Sequence, residues 1–241
     1  MGEVIIEFQN VTKIYKLIQN VSYKELLFSV FSKEKRKNIK KEFIALKNIS
    51  FSVKRGETVG IIGRNGAGKS TLLSLLAGVI KPTSGKIIVK DRVSPLLELG
   101  SGFHPELNAY ENIRLNGVLL GIPLKFIKNK VDDIIKFAEL EEFADQPIRT
   151  YSSGMLARLG FSVVTQLNPK ILLIDEVLAV GDERFRRKCI DLMLSFKKRN
   201  ITMLFVSHNL HEVELLCDRV IWIENHEIKM DGATAEVIEK F

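Results

Sequence analysis

Continuous apolar runs broken by glycine and polar turns dominate the chain. They recur as VIIEF (4–8), ISFSV (49–53), TVGIIG (58–63), KIIVK (86–90), KILLIDE (170–176), ITMLFVSH (201–208) and RVIWIE (219–224). Several of them are unbroken runs rich in Ile, Leu and Val, a pattern that suits strands buried on both faces of a largely parallel sheet. Helical stretches separate the later runs, notably Lys69 to Gly78 and Arg184 to Lys198, so βαβ units are the predicted assembly. The ENHE segment at 224–227 predicts an antiparallel hairpin joining RVIWIE to EIKM.

Between Asp91 and Gln166 the strand pattern gives way to helical periodicity. Ile127 to Phe143 is an example, with Val131, Ile134, Ile135 and Ala138 on one face. The pattern predicts a helical subdomain, about 91–166, inserted into an α/β core. A second irregular segment, 17–43, separates the first strand from the next. Within it, Ser22-Tyr-Lys-Glu25 matches a capping box, and Leu26, Leu27, Val30 and Phe31 then share one face of a short amphipathic helix. KEKRKNIKK at 33–41 follows, with six basic residues in nine. Two readings of 22–41 are open: an apolar face and basic cluster that meet a membrane partner and anionic headgroups, or a surface helix followed by a solvated charged loop.

Composition narrows the class. A chain of 241 residues that is 46% hydrophobic has room for a large α/β core and is not disordered. Its formal net charge of +7 makes a nucleotide, a nucleic acid or an anionic membrane face a suitable partner. Two cysteines, Cys189 and Cys217, exclude a disulfide framework and a Cys-rich zinc site, and they point to a reducing compartment, by default the cytosol. No stretch approaches the roughly 18 to 20 uncharged apolar residues of a bilayer span, and MGEVIIEFQN lacks the pattern of a signal peptide.

The strongest chemical signal is GRNGAGKST at 63–71, which directly follows TVGIIG and opens a helical run. Gly63, Gly66 and Gly68 permit a tight turn in which the amides of 63–71, including those of Arg64, Asn65 and Ala67, face phosphate oxygens at a helix N-terminus. Lys69 would reach the β and γ phosphates, the Ser70 hydroxyl would bind Mg²⁺, and Thr71 would lie near the α phosphate. ILLIDE at 171–176 ends an apolar run in two carboxylates, at the sheet edge where open α/β folds place ligands. Asp175 would hold Mg²⁺ and Glu176 would orient and polarise the attacking water. An acidic pair after a strand is weak evidence by itself and becomes strong beside the loop. His208 ends another apolar run and can reach the γ phosphate, although a lone histidine is more often structural. His104, His211 and His226 keep the structural reading.

The order of these motifs resembles the ATP-binding subunit of ABC transporters, over nearly the whole of 1–241, taken as one ATP-binding domain. The resemblance implies an α/β fold with a RecA-like P-loop core, an antiparallel β subdomain and the inserted helical subdomain. The family signature LSGGQ corresponds to YSSGM at 151–155, where Ser152 and Gly154 match while Ser153 and Met155 depart. In the family this segment caps the γ phosphate of ATP held by the opposite protomer, so the resemblance implies an ATP-sandwich homodimer. It also implies that Asp182 is the distal carboxylate of the D-loop and that Tyr15 stacks on adenine. The family's Q-loop glutamine is missing from SPLLELGSGFHPELNAYENI (94–113), where Glu98 is the nearest polar substitute.

LLELGSGFHPELNAYENI, YSSGM and DEVLAVGDERFRRKC together look like the ATPases that export O-antigen, capsule or teichoic acid polymers, the O-antigen type above all. That implies ATP hydrolysis with Mg²⁺, a separate transmembrane permease subunit, a lipid-linked polysaccharide handled by the complex, and a peripheral place on the cytoplasmic face of the plasma membrane. The alternatives are an ABC exporter of another substrate and an ABC-type ATPase acting on nucleic acid. The stretch between Lys69 and Asp175 lacks the heptads of DNA-associated ABC ATPases, and a single phosphate loop sets the chain apart from the two-cassette translation factors. A non-hydrolysing regulatory subunit conflicts with the joint presence of Lys69, Asp175, Glu176 and His208.

Overall fold

The computed structural model describes residues 2–18, 40–96, 100, 102–175 and 181–241. In chain order these form β1 (Val4–Ile18), β2 (Lys40–Lys54), β3 (Thr58–Ile62), α1 (Lys69–Leu76), β4 (Ser84–Val89), β5 (Val93–Leu96), α2 (Ala109–Leu119), α3 (Leu124–Lys128), α4 (Val131–Ala138), α5 (Ser153–Gln166), β6 (Ile171–Asp175), α6 (Glu183–Lys198), β7 (Thr202–Val206), α7 (Leu210–Leu216), β8 (Arg219–Glu224), β9 (Glu227–Ala233) and α8 (Thr234–Lys240).

Two sheets organise them. β2, β1 and β4 form an antiparallel sheet in that order, and a six-stranded sheet runs β5-β6-β7-β3-β8-β9. Its first five strands are parallel and β9 returns antiparallel to β8. The mixed α/β class with an antiparallel β part and a helical region is therefore the one expected. The runs TVGII and TMLFV are buried at every position because they lie in the middle of the larger sheet with covered faces.

One apolar core fills the space between the sheets and around α1, with Phe8, Leu46, Ile61, Leu72, Leu173 and Val206 among its members. Leu72 is fully buried there, and its truncation to alanine costs about 2–5 kcal/mol. A second core lies on the other face of the larger sheet under α5, α6, α7 and α8, and a third joins α2, α3, α4 and α5. Arg219 ties strands together: it donates to Glu57 at 2.7 Å, to Asp231 at 2.6 Å and to the Ser52 carbonyl at 2.6 Å.

The structure corrects three details. β1 and β2 run further into the 17–43 segment than the apolar runs suggested, pairing Tyr15 with Phe43 and Ile18 with Lys40. Strand pairing holds residues whose side chains carry no strand signal. β5 lies inside the region read as helical. It is a four-residue edge strand, VSPL, and only an edge tolerates Pro95, which has no amide to donate. The helix read over Ile127 to Phe143 is broken: α3 ends at Lys128, and α4 stops where Glu139 adopts a left-handed φ of 58°. The amphipathic helix over 22–32 and the basic run at 33–39 lie outside the described residues.

Much of the ELNAYENI block serves the start of α2. Asn108 and Glu111 form a reciprocal capping box. The fully buried Asn112 donates to the carbonyls of His104, Leu107 and Asn108 and accepts from the His104 amide at 2.7 Å. Those bonds satisfy every polar atom of its amide.

Candidate nucleotide-binding site

The segment 63–68 leaves the C-terminal end of β3 and opens onto α1. It is pressed between two strands: a Cβ on Gly63, at φ 153°, would strike the Ile223 carbonyl oxygen of β8, and one on Gly68, at φ 108°, would strike the Ala45 carbonyl oxygen and Leu46 of β2. Glycine is required at both positions by conformation and by space. Lys69 is 7% exposed, and its ammonium is held at the loop by the carbonyls of Gly63 at 2.7 Å and Arg64 at 3.2 Å.

A cavity of about 460 Å³ opens over this loop, lined by Phe43, Ala45, Asn65, Gly66, Gly68, Lys69, Ser70, Thr71 and Asp175. Its polar wall combines one ammonium, two hydroxyls and one carboxylate at the N-terminus of a helix whose first turn has no acidic residue. That donor set suits an anion, because helix amides and Lys69 attract negative charge. The Ser70 hydroxyl and the Asp175 carboxylate are hard oxygen donors of the kind Mg²⁺ takes.

Strand order explains the convergence. β6, β7 and β3 are parallel neighbours, with Asp175 paired to Val206 and Val206 to Ile61. Asp175, His208 and the phosphate loop therefore emerge at one edge of the sheet. His208 follows β7 by two residues and is exposed, though it is not among the residues lining the cavity. Glu176 and Glu98 lie outside the described residues.

The segment matching the signature sits elsewhere. Ser152 caps α5, its hydroxyl accepting from the Met155 amide at 3.2 Å, and Ser152 and Ser153 are both exposed ahead of Gly154. Tyr151 anchors the segment from behind by donating to the Phe143 carbonyl at 2.8 Å, and burial pushes its hydroxyl above the usual tyrosine range. Asp182 caps α6, accepting from the Phe185 amide at 2.9 Å. The stem of Arg158 on α5 packs against Gly181, the neighbour of Asp182. Neither 152–154 nor Asp182 lines the phosphate cavity of its own chain.

Tyr15 also falls outside the cavity lining; it lies directly across from Phe43, with the Lys13 ammonium 5.1 Å from its ring centre. The aromatic ring at the cavity is Phe43. Sequence reasoning missed it because it lies in a segment read as irregular; the signal available was the strand register that places it opposite Tyr15.

A phosphate loop between a parallel strand and a helix, faced by a carboxylate from a neighbouring strand end, defines a P-loop nucleotide-binding protein. Residues 46–179 match the ABC transporter family model. The chain belongs to the ABC transporter family. It is 52% identical, over 99% of its length and 98% of the relative's, to the O-antigen export system ATP-binding protein RfbB of Klebsiella pneumoniae. It is 44% identical to the teichoic acids export ATP-binding protein TagH of Listeria monocytogenes serotype 4b (strain F2365), over 100% of its length and 71% of that relative. Among solved structures, a dimeric ATP-binding cassette in a post-hydrolysis state bound to ADP and Pi shares the fold, with a TM-score of 0.75 at 23% identity over 95% of this chain and 99% of that one. An ATP-binding subunit of an ABC transporter superposes with a TM-score of 0.77 at 20% identity, over 98% and 93%.

Proposed function

We propose that this chain is the ATP-hydrolysing subunit of an exporter of lipid-linked polysaccharide, of O-antigen type, acting as a pair of copies with a separate transmembrane permease subunit. The observation that carries the proposal is the cavity in which Lys69, Ser70, Thr71 and Asp175 converge, in a chain alike over nearly its full length to an O-antigen export ATP-binding protein.

Loop amides from Gly63 to Thr71 cradle the phosphates, and Lys69 binds the β and γ groups. Ser70 and Asp175 would hold Mg²⁺, which when bound offsets phosphate charge. Glu176 orients and polarises the attacking water, and His208 reaches the γ phosphate. Adenine stacks at Phe43, which lines the cavity, and at Tyr15, which lies across from it on the neighbouring strand. Ser152, Ser153 and Gly154 of one copy cap the γ phosphate held by the other, with Asp182 facing the same interface. The exposed N-terminus of α5 supports that role, since it can present a hydroxyl and amides to an anion outside its own chain. The place proposed for the chain is peripheral, on the cytoplasmic face beside the permease; among the described residues no helix is long and apolar enough to cross a membrane.

The test is the solution mass of the Glu176→Gln variant with and without Mg-ATP. A nucleotide-dependent shift from monomer to dimer is the expected result. A variant that binds ATP and stays monomeric, alone and with the permease, would remove the shared-site mechanism. A tight, salt-sensitive DNA complex would favour the nucleic-acid reading instead.

A further inference from the structure

The hairpin between β8 and β9 reaches the rim of the phosphate loop. Its two tip residues, Asn225 and His226, have left-handed backbone, with φ 50° and 69°. Two such residues make the tight turn that suits a twisted hairpin, and glycine or asparagine usually fills the second place. Here the second place carries an imidazole, in the left-handed region that histidine, like asparagine and aspartate, enters more often than other side chains do.

That imidazole is fixed on β2. Nδ1 of His226 lies 3.2 Å from the Ala45 carbonyl oxygen, and since a carbonyl only accepts, Nδ1 carries the proton. The His226 carbonyl accepts from the Lys47 amide at 2.8 Å, and Glu227 pairs with the Lys47 ammonium at 2.7 Å. Three bonds thus clamp the tip to residues 45–47, next to Phe43. The imidazole meets the Phe43 ring edge to face, with centres 5.5 Å apart and planes at 84°. A second cavity, of about 410 Å³, runs between His226 and the loop, and it shares Asn65 and Gly66 with the phosphate cavity.

We infer that His226 is a positioning residue for the nucleotide base: it holds the half-exposed Phe43 ring as a preformed platform and raises affinity for ATP without acting on the phosphates. A ring ordered beforehand loses less freedom when a base stacks on it. The inference rests on the reading of Phe43 as the base platform.

Equilibrium binding of two probes tests both. Mg-ATP carries a base and inorganic tripolyphosphate does not. The proteins are the wild-type chain, Phe43→Ala, His226→Asn and the double variant; asparagine keeps the left-handed turn and removes the ring. Phe43→Ala should weaken ATP about tenfold and leave tripolyphosphate unchanged. His226→Asn should weaken ATP about threefold, again sparing tripolyphosphate, and the double variant should bind ATP no worse than Phe43→Ala. Unchanged ATP affinity in His226→Asn, with the loss in Phe43→Ala intact, would overturn the positioning role and leave the platform standing. Full ATP affinity in Phe43→Ala would remove the platform and the role together. Equal weakening of both probes, or additive losses in the double variant, would show that His226 acts on the loop or independently, and would overturn the inference.

Discussion

The phosphate loop and the segment at 151–155 both lead into a helix, yet different forces decide where each one sits. The loop is wedged between β8 and β2, with its lysine bonded to the loop's own carbonyls. Its shape is a property of about ten residues and the strands they touch. The segment at 151–155 owes its place to the far side of α5. Leu159 and Val163 pack into the helical core, while Phe161 packs into the core beneath the larger sheet, stacking on Phe137 at 6.3 Å and meeting Phe185 edge-on at 6.2 Å. At the same junction Glu139, in its left-handed position, takes Lys188 of α6 at 3.2 Å and Arg158 of α5 at 3.7 Å. Lys188 also donates to the Phe137 carbonyl at 2.7 Å. The cradle's place is thus set by the strands and loop carbonyls beside it, whereas the place of 151–155 is set by the packing of α5 against α4 and α6.

Substitutions can break this contrast, beginning at the cradle. Lys69→Ala should reduce ATP hydrolysis by about 10²–10³-fold, because it removes the buried cation from the phosphate site, and a steady-state ATPase assay reads the loss. Gly68→Val should abolish nucleotide binding and cost about 1–3 kcal/mol in denaturant unfolding, since it adds both a clash with Ala45 and left-handed strain.

Effects at the cap should be smaller and should spare binding to the single chain. Ser152→Ala removes the N-cap of α5 and the hydroxyl proposed to face the partner's nucleotide. It should lower hydrolysis about tenfold while the ATP dissociation constant of the monomer stays put. Glu139→Gln, which removes the charge facing both Lys188 and Arg158, should lower hydrolysis about threefold; unchanged hydrolysis would show that these ion pairs have no part in placing 151–155.

The smallest effect on hydrolysis is expected at the thiols, which belong to neither region. Burial pushes Cys189 and Cys217 up to about 12, so alkylation of the folded protein at pH 8 should be slow and should accelerate on unfolding. Their folded values lie above the unfolded one, so the native state holds its protons longer. Stability is therefore retained below about pH 8.5 and falls as pH rises from there through 12, which melting temperatures against pH would show.

Legibility followed the same division. GRNGAGKST and the strand ILLID could be placed from sequence because their geometry follows from neighbouring residues: glycines for the turn between an apolar strand and a helix in the first, an unbroken apolar run in the second. β5 escaped notice because VSPL gains strand geometry only from pairing with β6, at an edge that accepts Pro95. The break between α3 and α4 was hidden because apolar periodicity continues across it while the backbone turns at Asn129 and Lys130. Phe43 and His226 are 183 positions apart in the chain and meet only because β2 runs beside the β8–β9 hairpin. No local pattern marks either of them.

By itself the amino-acid sequence determined the P-loop class, the α/β alternation and the place of the glycine-rich loop between a strand and a helix, because hydrophobic periodicity and glycine placement act over a few neighbouring positions. Only the tertiary structure decided which aromatic ring stands at the cavity, which hairpin braces it, and that the cap segment and Asp182 open helices away from their own chain's phosphate site. Those are matters of sheet order and helix packing between distant segments, and each depends on contacts that form only once the whole chain has closed around its cores.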